Sequence, residues 1–131
     1  MRIVLDTNVL ISAEIADGPA HQFVAWCLDE HYIVISEFIF QEFTRVLTKK
    51  FKVDPTIVEE AVLFFRKKMH VVPLMFPVSG VCSDPDDDNI LATALAGSCS
   101  HIVTGDRQLL ILKEYRSISI VSVQAFKEIS A

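Results

Sequence analysis

The sequence predicts an α/β fold in which helices cover both faces of a central, mainly parallel sheet of five strands. Short apolar runs rich in β-branched residues alternate with longer segments whose apolar residues recur at helical spacing. The strand-like runs lack polar alternation, as expected of strands buried on both faces. Hydrophobic residues make up 51% of the 131 residues, enough for a packed core. We therefore expect residues 1–131 to form a single three-layer α/β/α domain.

Five runs along the chain are the predicted strands. They are Arg2–Leu5, Tyr32–Ile35, residues 70–74, residues 101–104 and Ile118–Val121. Because helical segments separate successive runs, the strands are expected to pair in parallel.

The predicted helices lie between these strands, and two of them have clear start signals. Ser36 is a good N-cap, and Asp54 precedes a proline at a first helical position. The helices are expected over residues 9–14, 20–30, 36–50, 54–69 and 87–96, with a short final helix after Ser122.

The composition narrows the possible functions. Three widely spaced cysteines and four scattered histidines argue against a disulfide framework and against a zinc site. No apolar run reaches the roughly 18–20 residues of a membrane helix. Asp6 and Asn8 interrupt the N-terminal apolar run, which is therefore not expected to be a signal peptide. We expect a cytoplasmic protein with no membrane association.

Charge is distributed unevenly along the chain. The net charge is −5, but residues 45–68 contain seven basic and three acidic residues, so this segment carries +4 and the remainder −9. A basic pair of helices can bind a phosphate backbone. The alternative is that these charged residues simply form two solvent-exposed helix faces. The charges alone favour this alternative.

Acidic residues follow three of the predicted strands. Asp6 follows the first strand and Asp106 the fourth, and the turn after the third strand contains Asp84, Asp86, Asp87 and Asp88. The carboxyl ends of parallel strands meet at one edge of a sheet, so topology should gather these carboxylates there. Four aspartates in five positions exceed what capping of the following helix needs. Helical geometry alone does not choose between Asp87 and Asp88.

Glu42 is the most informative single acid. On the helix that follows Ser36 its neighbours one turn away include Phe38, Ile39 and Val46, so it lies in or beside the apolar stripe. A carboxylate facing a core is costly unless something pairs with it. An all-oxygen acidic cluster selects Mg²⁺ or Mn²⁺, and such ions can promote attack of water on a phosphodiester.

The acidic motifs, taken in order, resemble the PIN-domain family. The resemblance rests on Leu5-Asp6-Thr7-Asn8-Val9, Ser36-x-x-Ile39-x-x-Glu42, Asp84-Pro85-Asp86-Asp87-Asp88-Asn89-x-Leu91-Ala92-x-Ala94 and Val103-Thr104-Gly105-Asp106-x-x-Leu109-Leu110. It covers residues 1 to about 123 and is closest to the bacterial and archaeal branch of toxins from toxin–antitoxin pairs. It implies a PIN-like fold and a metal-dependent endoribonuclease.

The resemblance also implies roles for individual residues. The four catalytic and metal-binding acids would be Asp6, Glu42, Asp88 and Asp106. The resemblance thus selects Asp88 instead of Asp87. The implied supporting residues are Asn8, Thr104, Asp84 and Asp86. We expect Arg45, Lys49 and Lys50, which lie one to two turns beyond Glu42, to hold the RNA backbone. A homodimer and a cognate antitoxin that blocks the site are the implied partners.

Three other functions fit parts of the pattern less well. A phosphoaspartyl phosphatase needs a second acid two residues after the first, where this chain has Asn8. A receiver domain needs paired acids after the first strand and a lysine where Asp106 follows Thr104. A catalytically inactive PIN-fold module that binds RNA or another protein would not need all four acids.

Overall fold

The computed structural model describes residues 1–130, which form one six-stranded sheet and seven helices. The strands are β1 (Arg2–Leu5), β2 (Tyr32–Ile35), β3 (His70–Val71), β4 (His101–Val103), β5 (Glu114–Tyr115) and β6 (Ile118–Val121). The helices are α1 (Thr7–Ile15), α2 (Pro19–Glu30), α3 (Glu37–Lys49), α4 (Pro55–Lys68), α5 (Pro85–Ala96), α6 (Arg107–Leu110) and α7 (Val123–Ser130).

The strand order is β3-β2-β1-β4-β6-β5. All neighbouring strands pair in parallel except β5 and β6, so the prediction of a mainly parallel α/β sheet is confirmed. The chain moves outward from β1 to β3 and then returns to β4 on the other side of β1. This reversal opens a crevice at the carboxyl ends of β1 and β4, which is where sheets of this kind place their functional groups.

The helices pack in two groups around this sheet. Helix α1 contacts both α2 and α3, and α3 contacts α4, whereas α5 packs against β1, β2 and β4. Right-handed crossovers put these groups on opposite faces, because the direction of strand addition reverses between them. The buried residues of β1 are Ile3, Val4 and Leu5, as expected of a central strand. No helix within residues 1–130 is long and apolar enough to cross a membrane.

The prediction of five strands was wrong, because β5 adds a short antiparallel edge strand. It joins β6 through Arg116 and Ser117, which have φ values of 47° and 69°. Two-residue hairpins need such positive φ values and usually obtain them from Asn-Gly or a similar pair. The sequence gives no such signal here, so the hairpin was not predicted.

Several other elements also differ from the prediction. β3 ends at Val71 instead of residue 74, because Pro73 has no N–H with which to continue the ladder. Helix α5 begins at Pro85, with Asp84 as its N-cap, two residues before the predicted start. The single-turn helix α6 was not predicted.

Candidate functional site

The carboxyl ends of β1 and β4 bring polar residues from distant parts of the chain together. Asp6 follows β1, and Thr104 and Asp106 follow β4. The backbone N–H of Asp6 donates to the carbonyl oxygen of Val103 at 2.9 Å, which holds the two strand ends side by side. The edge predicted from topology is therefore where these residues meet.

Asp6 occupies the N-cap position of α1 and is only 4% exposed. Its side chain makes no capping hydrogen bond and instead accepts a hydrogen bond at 2.7 Å from Thr104 Oγ1 to Oδ2. Burial raises the pKa of Asp6 to about 6 despite this bond, and the negative charges of Glu42 and Asp106 add to the shift. Asp6 is thus a desolvated carboxylate within electrostatic reach of two others.

Thr104 connects Asp6 to Asp106. Its fully buried hydroxyl donates to Asp6 and accepts the backbone N–H of Asp106 at 3.0 Å. Asp106 caps α6, because its Oδ1 accepts the N–H of Gln108 at 2.9 Å. This chain of bonds fixes the orientation of two of the acids.

Glu42 lies half-buried on α3 and faces the same cluster. Burial is the main cause of a raised pKa, and the charges of Asp86 and Asp84 contribute. Arg45 and the hydroxyl of Thr7 offset part of this shift. The raised pKa of Glu42 shows that nearby positive charge does not compensate its carboxylate fully.

Thr7 was not assigned a role in the sequence analysis. It is 1% exposed, and its Oγ1 is buried without a hydrogen-bond partner among the described residues. The hydroxyl is close enough to Glu42 to influence its pKa, yet it forms no hydrogen bond of normal geometry. Unsatisfied buried hydroxyls are uncommon and indicate a missing partner such as water or an ion.

The start of α5 separates its four aspartates into two pairs. Asp84 caps the helix by accepting the N–H of Asp86 at 2.9 Å, and both of these residues are exposed. Asp87 and Asp88 turn inward and are 8% and 4% exposed. Asp87 and Asp88 are therefore both buried, and helical geometry alone did not decide between them as site residues.

Asp87 has the strongest coupling to the other acids. Burial, followed by the charges of Asp106 and Asp6, raises its pKa to about 7, and Asp84 and Glu42 add to the shift. Asp87 is therefore within electrostatic reach of acids that come from β1, α3 and the β4–α6 turn. A clue in the sequence was its place three residues after the N-cap, but it did not exclude Asp88.

Asp88 makes a different contact. Its Oδ1 accepts the backbone N–H of Cys82 at 2.8 Å and so ties the loop that precedes α5 to the helix. Burial together with the charges of Asp88, Asp87 and Asp106 raises the pKa of the Cys82 thiol to about 12. The thiol therefore stays neutral and adds no further negative charge to the acids.

The chemistry of these groups fits a hard divalent cation. In the described part of the chain the one salt bridge joins Arg66 to Glu37, so none of the clustered acids is paired with a base. No three acidic, histidine or cysteine side chains within residues 1–130 are grouped closely enough to chelate one ion. The buried, unpaired carboxylates and the unpartnered Thr7 hydroxyl nevertheless supply the oxygen ligands that Mg²⁺ and Mn²⁺ prefer.

Other residues predicted to take part lie outside this cluster. Asn8 is exposed, and its side chain forms no hydrogen bond within residues 1–130. Arg45, Lys49 and Lys50 are exposed on and just after α3, and among them only Arg45 influences the pKa of Glu42. Their side chains are free to meet a ligand that extends beyond the acids.

Comparisons with known proteins identify the family of the sequence and structures of similar fold. The sequence profile of the PIN domain family matches residues 2–108. The chain is similar in fold to VapBC2 from Rickettsia felis, whose crystal structure was solved bound to a DNA fragment from their promoter. For that structure the TM-score is 0.69 at 13% identity, covering 93% of this chain and 98% of the other.

A second similar structure is FitAcB from Neisseria gonorrhoeae. The TM-score is 0.55 at 19% identity, again covering 93% of this chain and 98% of the other. At these identities both likenesses show a shared fold. No curated protein sequence matches the chain.

Proposed function

Because this chain belongs to the PIN-domain family, we propose that it is a metal-dependent endoribonuclease and the toxin of a toxin–antitoxin pair. The observation that carries the proposal is the cluster of buried acids without basic partners at the carboxyl ends of β1 and β4. Placing such carboxylates together is costly unless a cation neutralises them. A toxin of this kind would act in the cytoplasm on single-stranded or looped RNA.

We propose Asp6, Glu42, Asp88 and Asp106 as ligands of Mg²⁺ or Mn²⁺. When bound, the ion would lower the pKa of a water molecule and stabilise negative charge on the phosphate. The protein would hold the ligands in place: Thr104 orients Asp6 and Asp106, and the Thr7 hydroxyl lies beside Glu42. Asp84 and Asp86 would add negative potential at the entrance to the site.

Asp87 is a fifth proposed ligand, supported by its coupling to Asp6, Glu42 and Asp106. Asp88 would offer Oδ2, because Oδ1 already accepts the N–H of Cys82. The two assignments are separable by parallel substitution. If Asp87→Asn cleaves RNA like the unaltered protein, the added ligand is wrong. If Asp88→Asn does so, the assignment taken from the family resemblance is wrong.

The nuclease proposal is tested by incubating the purified protein with a mixed panel of RNAs and Mn²⁺ or Mg²⁺. We expect cleavage that EDTA stops and that Asp6→Asn and Glu42→Gln abolish. Glu59→Gln is a matched control, since it changes an exposed glutamate on α4. Cleavage that survives EDTA or Asp6→Asn would contradict the proposal. Absence of cleavage with metal would favour an inactive PIN-fold module.

The proposed partners are a second copy of the chain and a protein antitoxin. We expect sedimentation analysis to show a homodimer. The product of a gene adjacent to this one should form a stable complex with the protein and inhibit cleavage. A monomer at micromolar concentration would rule out the dimer, and an adjacent product that neither binds nor inhibits would rule out that antitoxin.

A further inference from the structure

Two adjoining cavities begin beside the acidic cluster and continue between α2 and α7. The first, of about 280 Å³, is lined by Asn8, two residues after Asp6, and by Gly105, which directly precedes Asp106. The second, of about 420 Å³, extends to Gln22 and Trp26. Both cavities are lined by Pro19, Phe23 and Lys127. We call this continuous depression the α2–α7 groove.

One wall of the groove is a single face of α2. Pro19, Gln22, Phe23 and Trp26 are spaced three, four and seven residues apart, so their side chains share that face. At 1.5 Å per residue the wall runs for roughly 10 Å along the helix. The wall thus extends from Pro19, which lines both cavities, to Trp26, which lines only the second.

The groove has the charge that a nucleic acid backbone requires. Lys127 is exposed and is the one charged residue lining either cavity in the described part of the chain. Its Nζ lies 5.8 Å from the centre of the Phe23 ring. The neighbouring Glu128 accepts a hydrogen bond from Gln124 at 3.3 Å and does not line the groove. The groove is thus locally positive in a chain of net charge −5, and this favours an anionic ligand.

The far end of the groove has an aromatic surface held by its neighbours. Trp26 is half-buried, with its ring centre 6.0 Å from that of Phe23, 5.2 Å from that of His31 and 6.3 Å from that of Phe126. These contacts fix the indole while part of it lines the cavity. Aromatic rings fixed beside a cation are the usual means of holding single-stranded nucleic acid, because every base can stack on them.

We infer that the α2–α7 groove holds the single-stranded RNA next to the bond that is cleaved. Lys127 binds a backbone phosphate, a base stacks on Trp26, and the amides of Asn8 and Gln22 supply hydrogen bonds between them. This inference rests on the nuclease function proposed above. The groove would give the RNA a second binding surface in addition to Arg45, Lys49 and Lys50. The two surfaces would lie on opposite sides of the acids.

Trp26 is the only tryptophan in the chain, so its fluorescence reports on the groove directly. A short fluorescently labelled single-stranded oligoribonucleotide would be titrated into the Asp6→Asn protein, which prevents cleavage. Binding is followed by anisotropy of the label and separately by Trp26 emission. We expect both signals to change with the same midpoint, with emission quenched by the stacked base.

Variants of Lys127 provide the second measurement. We expect Lys127→Glu to weaken binding by about tenfold, within the range of single contacts of this kind. Lys127→Gln should reduce the slope of log affinity against log salt by about 0.7, the value for one phosphate contact on a single strand. Lys113→Glu is the control, since Lys113 is also exposed but lies outside the groove and outside the basic segment 45–68.

Two results would overturn the inference in different ways. Anisotropy that reports binding while Trp26 emission stays constant and Lys127→Glu behaves like Lys113→Glu would place the RNA elsewhere and leave the nuclease proposal intact. Emission that responds to a partner protein but not to RNA would make the groove a protein-docking surface. Absence of both RNA binding and cleavage by the unaltered protein would remove the nuclease proposal and this inference together.

Discussion

Among individual residues, Thr104 links the acids most directly. Its hydroxyl donates to Asp6 Oδ2 at 2.7 Å and accepts the N–H of Asp106 at 3.0 Å. These two bonds orient the carboxylate of Asp6 and fix the backbone at Asp106. The family resemblance implied a supporting role for Thr104. Only the structure shows that its one hydroxyl forms hydrogen bonds with both Asp6 and Asp106.

Replacing Thr104 with valine should keep the buried volume and remove both hydrogen bonds. We expect RNA cleavage to fall by about 10- to 100-fold, as is typical when the partner of a metal ligand is lost. The apparent affinity for Mn²⁺ should fall as well, since the carboxylate of Asp6 becomes less well ordered. Thr104→Ser retains the hydroxyl and should recover most of the activity. Equal activity in both variants would show that the hydroxyl has no such role.

The raised pKa of Asp6 has a consequence for stability. Its folded-state pKa of about 6 lies above the usual 3.8, so the folded protein binds the proton more tightly than the unfolded chain does. The stabilisation is complete below about pH 4 and is lost as pH rises through 6. For this nearly buried group the full effect is on the order of 3 kcal/mol, of which roughly half falls between pH 5 and 8.

We therefore expect Asp6→Asn to gain stability relative to the unaltered, metal-free protein as pH rises from 5 to 8. Urea denaturation at several pH values measures this difference directly, and the contributions of titrating groups that lie far from Asp6 cancel. Mg²⁺ or Mn²⁺ should stabilise the unaltered protein at pH 8 and leave Asp6→Asn almost unchanged. A difference between the two proteins that does not vary with pH would contradict the assigned environment of Asp6.

Among the elements, α3 carries one acid inward and basic residues outward. Glu42 is half-buried beside the cluster. Arg45, Lys49 and Lys50 lie one to two turns further along the helix and are exposed. The apolar positions around Glu42 predicted this placement from the sequence alone. We propose that the exposed basic residues hold the RNA backbone as it leaves the acids.

Charge reversal on this helix tests that proposal. We expect the double change Arg45→Glu and Lys49→Glu to weaken RNA binding by at least tenfold at low salt and to flatten its salt dependence. Lys113→Glu, which alters an exposed lysine at the edge of the sheet, is the single-site control. Binding that keeps its affinity and its salt slope in the double variant would remove these residues from the RNA path.

The elements also show where sequence information was sufficient. Strands β1, β2 and β6 matched the prediction because apolar, β-branched runs have few alternatives. The β5–β6 hairpin was missed because Arg116 and Ser117 adopt positive φ without glycine or asparagine. Asp87 and Asp88 could not be separated because both turn inward at the start of α5, and their partners come from other elements.

At the scale of the whole molecule, the proposed functional groups collect at one end of the sheet. The carboxyl ends of β1 and β4 gather acids from four separate parts of the chain, and the reversal of strand order after β3 brings those parts together. The basic residues of α3 and the α2–α7 groove lie on either side of this cluster. An acidic protein can therefore attract a polyanion if a cation occupies the cluster and the flanking lysines bind the backbone.

The central claim is that a divalent cation bound by the acidic cluster enables RNA cleavage. The most direct measurement is a Mn²⁺ titration in which metal binding and cleavage of a single-stranded RNA are followed on the same protein. We predict that the two curves share one midpoint and that Asp6→Asn shifts or abolishes both together. Cleavage without Mn²⁺, or metal binding that Asp6→Asn leaves unchanged, would contradict the claim.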